Sequence, residues 1–135
     1  MQEKIEPFNI EAERSVLGSM IIDNETIRSV TDSLSESDFY KTSHRHIFQT
    51  IVDVYDKQNC VDLVILKDAL TKQSLLEKAG GAEYIMKLGE SVPSVSNVVY
   101  YAEIVLEKAI LRDVITVTTK IQQDAYNNPS DLKEL

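Results

Sequence analysis

Residues 95–128 read VSNVVYYAEIVLEKAILRDVITVTTKIQQDAYNN, and no proline or glycine interrupts them. Val98, Ala102, Val105 and Ala109 recur at spacings of three and four, which is the period of one helix face. The stripe is expected to continue through Ile110, Val114, Val117, Ile121 and Ala125. A second apolar set, Ile104, Leu111 and Ile115, lies off it. A helix docked on a single core needs one apolar face. The additional set therefore predicts a second surface that meets another helix or another chain. Lys108 and Arg112 form a like-charged i,i+4 pair, as do Glu103 and Glu107. Such pairs gain nothing from each other, so water or an outside partner is expected to serve them.

Asn127, Asn128 and Pro129 should end this helix. Ser130-Asp131-Leu132-Lys133-Glu134-Leu135 looks like the capped first turn of another, and the expectation is a second helical arm cut short at Leu135. Upstream the elements are shorter. Asn9 can cap a helix carrying Val16, Leu17, Met20 and Ile21, with Glu11 and Glu13 suited to the positive end of its dipole. Asp23 or Asn24 should open a short helix through Ile27, Val30 and Leu34. A polar turn over residues 35–40 leads to a third helix starting near Ser43. Ile47, Phe48, Ile51, Val54 and Tyr55 line one side of it, and Lys57, Gln58 and Asn59 end it. The β-branched run from Val61 to Leu66 suits a strand. It has no second strand to pair with, and Asp62 can cap a helix, so a helix is expected. Ser74-Leu75-Leu76-Glu77 matches a capping box opening a short helix that stops at Gly80-Gly81. Another helix should run from Ala82 to Glu90, burying Tyr84, Ile85 and Leu88.

A chain of 135 residues with 43% apolar residues can build one substantial core. Aromatics are only 7% and tryptophan is absent, so aliphatic side chains must supply most of the packing. The net charge of −8, from 22 acids against 14 bases, argues against nucleic acid as the main partner, because phosphate binding rests on Lys and Arg. Cys60 is the only cysteine, which excludes an internal disulfide and a cysteine-based zinc site. Residues 1–7 are polar and charged, unlike a secretory leader. The longest apolar runs are too short to span a bilayer. A soluble, cytoplasmic protein is expected, with no membrane partner.

Candidate chemistry is sparse. Gly18, Gly80, Gly81 and Gly89 fall in neither a GxxxxGK[ST] nor a GxGxxG phosphate loop. On a helix His44 and His46 point about 200° apart and cannot share a metal. His44 is expected to pack or cap at its helix start, with His46 exposed. Cys60 has no basic neighbour closer than Lys57 to activate it. Asp53 with Asp56, and Asp62 with Asp68, read as solvated helix faces. Gly18 inside a helix costs about 1 kcal/mol relative to alanine, which points to close helix packing there. No catalytic, cofactor-binding or metal residue is expected.

The order of the pieces resembles the N-terminal domain of the bacterial or phage replicative DNA helicase, the DnaB-like family. Asn9-Ile10-Glu11-Ala12-Glu13 leads to Ser15-Val16-Leu17-Gly18-Ser19, then to Asp38-Phe39-Tyr40 and His44 with Ile47-Phe48. Val61-Asp62-Leu63-Val64, Leu70, Gly80-Gly81-Ala82-Glu83-Tyr84, Leu88, Val92-Pro93 and Asn97 follow. Tyr100-Tyr101-Ala102-Glu103-Ile104-Val105 and Leu111-Arg112 complete the set.

The resemblance implies an all-α fold, with a compact head of about six helices in residues 1–94. Residues 95–128 would be the long helix, the first arm of a helical hairpin, and residues 129–135 the start of a truncated second arm. It implies assembly and docking rather than catalysis. The domain would contribute to the collar of a hexameric ring, a trimer of dimers, and to interaction with primase and a helicase loader. The parent would be an ATP-dependent 5'-3' DNA helicase, with ATP and Mg used only in an absent C-terminal motor domain that also makes most of the DNA contact. The residues expected at the self-association interface are Ile104, Lys108, Leu111, Arg112 and Ile115. The alternative reading is a free-standing helical DNA-binding regulator.

Overall fold

The computed structural model describes residues 5–127, the side chain of Ser91 excepted, so the expected second arm at 129–135 lies outside the described residues. The described residues are all-helical, with six α-helices, short 3-10 turns and no strand. The helices are α1 (Ile10–Ile22), α2 (Thr26–Thr31), α3 (Thr42–Gln58), α4 (Leu63–Lys72), α5 (Ala82–Met86) and α6 (Val98–Tyr126).

The centre of the head is α1. Asn9 Oδ1 accepts the Ala12 amide at 2.9 Å and starts it. Every residue from Ser15 to Ile21 is buried, as suits a helix enclosed on all sides. It packs against α2, α3, α6 and the 3-10 turn Leu88–Ser91. At Gly18 a Cβ would stand 2.6 Å from the Leu88 carbonyl oxygen and would also strike Val92 Cγ2. The glycine is there because another backbone passes against α1, as the sequence predicts.

The remaining elements lock onto this centre. Asn24 does not cap α2. Its amide nitrogen donates to the carbonyls of Met20 (3.0 Å) and Val61 (2.8 Å), and its Oδ1 accepts the Val61 amide at 3.0 Å. This pairing fixes the α3–α4 connection, and Val61 itself is buried. The α3 helix ends on Asn59 in the left-handed conformation (φ 56°). Asp62 Oδ1 accepts the Ile65 amide at 2.8 Å, so the β-branched run is the capped start of α4.

The expected capping box at Ser74 is corrected. Ser74 ends α4 rather than opening a helix. It has φ 58°, its amide donates to Thr71 O, and the Leu75 amide donates to Leu70 O. That is a Schellman closure with serine in the usual glycine place. Residues 75–79 make a single turn that closes in the same way, with Gly80 at φ 106°. The expected helix from Ala82 to Glu90 is α5 followed by the 3-10 turn Leu88–Ser91. Phe39, in the expected polar turn, is fully buried and meets Phe48 at 5.0 Å between ring centroids.

The head does not end at residue 94. Val98, Ala102 and Val105 of α6 belong to the same core as Val16, Leu17, Ile47 and Leu70. Buried positions on α6 continue to Ala109 and Arg112 and then cease. From Asp113 to Asn127 the side chains are exposed, with Asp124 partly covered. The second half of α6 is an arm that projects from the head.

Candidate interaction surface

Two apolar rows on α6 differ in phase. Val98, Ala102, Val105, Ala109 and Arg112 face the core. Ile110, Val114, Val117 and Ile121 were expected to extend that stripe. They lie about 130° around the helix from it, at 100° per residue. These four, with Leu111 and Ile115, are between 44% and 56% exposed. Together they form an uncovered aliphatic strip along the arm, of a kind that marks an interaction site when contiguous.

The expected interface residues divide. Leu111 and Ile115 stand on the uncovered strip. Ile104 is half-buried against the head core, and Lys108 is half-buried. Arg112 departs furthest from expectation. Only 9% exposed, it is held by the main chain of its own head. Its two terminal nitrogens donate to the carbonyls of Pro7 (2.8 Å) and Asp38 (2.7 Å). Sequence reasoning missed Ile110, Val114, Val117 and Ile121 as surface residues. The signal for them is the single step from Ala109 to Ile110, which leaves the core face.

A second cluster lies inside the head. Glu13 is 1% and His44 0% exposed. Glu13 Oε1 and His44 Nδ1 are 2.8 Å apart, and His44 Nε2 is 2.5 Å from the Tyr84 hydroxyl. The same carboxylate accepts the Tyr40 amide at 2.8 Å and the Lys41 amide at 3.4 Å, just ahead of α3. Burial pushes the Tyr84 phenol above its ordinary 10.0, the Arg14 guanidinium pulls it back, and the Glu13 carboxylate adds to the rise. Nδ1–H of His44 donates to the Glu13 carboxylate, and Nε2 is hydrogen-bonded to the Tyr84 hydroxyl. The cluster thus joins α1, α3 and α5. Glu13 is not the exposed dipole partner that its place in the first turn suggests. His44 packs as expected, while His46 is half-buried rather than exposed.

This triad has the polarity of a proton relay, yet it ends on a phenol held protonated. Its chemistry is that of a lock between helices. Among the described residues no group of three His, Cys, Asp or Glu side chains could hold a metal. Cys60 is exposed and free. No described helix is long and apolar enough to cross a membrane. Ion pairs Asp68–Lys72, Glu83–Lys87 and Lys120–Asp124 are solvent-exposed i,i+4 pairs, each contributing at most a few tenths of a kcal/mol.

Comparison with known proteins gives the arrangement a context. The family model described as the DnaB-like helicase N terminal domain matches residues 5–107. The replicative DNA helicase DnaC of Bacillus subtilis is 36% identical over 135 residues, covering 100% of this chain and 30% of its own length. The crystal structure of the N-terminal domain of DnaB helicase from Mycobacterium tuberculosis superposes with a TM-score of 0.87 at 36% identity, over 90% of this chain and 88% of that one. A DnaB-like replicative helicase whose structure was described with its interactions with primase superposes with a TM-score of 0.76 at 26% identity. That match covers 90% of this chain and 29% of the other.

Proposed function

Because the chain belongs to the family of DnaB-like helicase N-terminal domains, we propose that it is the assembly and docking domain of a replicative DNA helicase. The chain spans about 30% of the length of the curated relatives it matches. Unwinding, and the ATP and Mg that drive it, are therefore assigned to a motor outside these residues. The setting proposed is the bacterial cytoplasm, where such a helicase meets the chromosome.

The observation that carries the proposal is the uncovered aliphatic strip on the arm, Ile110, Leu111, Val114, Ile115, Val117 and Ile121. Leaving it in water is unfavourable by roughly 25 cal/mol per Å² of apolar surface, so a second helix or a second copy is its natural cover. Hexamer formation through paired arms, with primase and a loader docking on the collar, is the proposed outcome. The likeness to a helicase described with its interactions with primase supports the primase part of this reading. The residues proposed at the interface are now Leu111 and Ile115 together with Ile110, Val114, Val117 and Ile121. Ile104 and Lys108 stand at its edge, and Arg112 acts from within.

The test is Leu111→Asp with Ile115→Asp in the full-length protein. Sedimentation velocity should show loss of the ring while the head melts as before, because both side chains are exposed. An unchanged sedimentation coefficient overturns the assignment.

A further inference from the structure

Arg112 is the last buried residue of α6, and its partners come from outside that helix. One terminal nitrogen donates to the Pro7 carbonyl at 2.8 Å, and the other to the Asp38 carbonyl at 2.7 Å. Its guanidinium carbon lies 5.4 Å from the centroid of the Tyr40 ring. Phe8 stacks on Tyr40 with centroids 4.5 Å apart and planes within 11°. Pro7 and Phe8 belong to one short non-helical segment ahead of α1. That segment is therefore held at the point where α6 leaves the head, by one bond from α6 and one stacked ring from the segment ahead of α3.

The segment's own side chains do not anchor it in the core. Ile5 and Phe8 are 72% and 40% exposed, and Pro7 is half-buried. A segment held only to satisfy its own apolar side chains would bury them. Here it offers a carbonyl and a ring to the root of the arm instead. Both carbonyls accept charge-assisted hydrogen bonds, which are short and directional. A planar guanidinium bound at both ends cannot turn without breaking one of them.

We propose that residues 5–8 form a strap which, through Arg112, fixes the direction in which α6 leaves the head. With the strap in place, the arm projects in one orientation. With it displaced, Arg112 keeps only the Asp38 carbonyl, and α6, still docked through Val98, Ala102, Val105 and Ala109, frays and bends from its last core turn outward. Anything that captures residues 5–8 would thereby release the arm. This rests on the reading of α6 beyond Arg112 as the assembly arm, but its test reads geometry rather than assembly.

Cys60 is the only cysteine and is exposed on the head, so it is a native labelling site. A second spin label goes on the arm through Gln123→Cys. Pulsed electron spin resonance on the doubly labelled 135-residue chain, diluted in unlabelled chain, then reports the head-to-arm distance within one molecule. A narrow distribution is expected. Arg112→Ala, and separately deletion of residues 1–7, should each widen it by about twofold or more, as a released element samples several orientations. Arg112→Lys, which keeps the charge but not the two-pronged geometry, should fall between. The deletion removes no buried residue among those described, so it decides the matter if Arg112→Ala fails to fold. An unchanged distribution in the deletion overturns the strap, whether or not the arm then proves to mediate assembly.

Discussion

The imidazole of His44 on α3 and the carboxylate of Glu13 on α1 meet at 2.8 Å with both side chains out of water. Glu13 also accepts the amides of Tyr40 and Lys41. Glu13→Ala should therefore leave three buried or part-buried donors without their acceptor and cost about 3 kcal/mol of stability. Glu13→Gln keeps one acceptor oxygen and should cost roughly half of that. Urea denaturation of the two variants beside the parent chain measures both. Equal stability of all three would show that the triad holds nothing together.

Tyr84 gives a pH dependence of known sign. Its phenol is raised above 10.0 in the folded chain, chiefly by burial. Between the unfolded and folded values the native state binds more protons than the unfolded state. Stability therefore falls as pH rises through and beyond about 10. Below that range both states are protonated and the phenol adds no slope. Tyr84→Phe should remove this part of the alkaline loss. The measurement is the difference between parent and variant stability from pH 8 to 11. A difference that does not change with pH would remove Tyr84 from the account.

Gly18→Ala sets two effects against each other. Alanine favours helix over glycine by about 1 kcal/mol. Its Cβ, however, would stand 2.6 Å from the Leu88 carbonyl oxygen. That atom belongs to a backbone packed against α1 and cannot rotate away. Overpacking of this kind costs about 1–3 kcal/mol, so a net loss of about 1 kcal/mol is expected. Thermal melting decides the sign, and a more stable variant would mean that the 88–92 segment yields easily.

Ser74→Gly should act in the opposite direction. Serine at φ 58° occupies the left-handed region that glycine enters without steric cost. The gain of about 1 kcal/mol in the folded state is partly offset by the freer unfolded chain, leaving roughly 0.5 kcal/mol of added stability. A melting temperature that falls instead would mean that the serine hydroxyl has a role of its own.

Much of the fold was legible because it is written locally. Asn9 and Asp62 cap the helices that follow them, Asn59 and Gly80 end the elements before them, and Gly18 marks a close approach. Each needs only the neighbouring residues and the backbone's own demands. What was not legible depends on partners distant in the chain. His44 and Tyr84 lie 31 and 40 positions apart from their triad contacts, and no spacing rule connects them. Arg112 looked like a surface cation because its partners are main-chain carbonyls, which carry no sequence signal. Ser74 carried a real pattern in the wrong context, since a serine with glutamate three residues on can also follow a helix end. The arm's two rows were read as one stripe because the spacing was carried from Ala109 to its neighbour Ile110, a step of about 100° that leaves the core face. Only the core shows which face is taken.

The arm reaches about 21 Å beyond Arg112, at 1.5 Å per residue to Tyr126. A rigid rod of that length is a lever. A tilt of about 10° beyond its last core turn moves the tip by roughly 4 Å, about the breadth of a methyl group. Any partner seated near Ile121 therefore feels errors made at the root in magnified form. Precision at the tip has to be built at the pivot, and that is where the fold places a buried cation held from two sides.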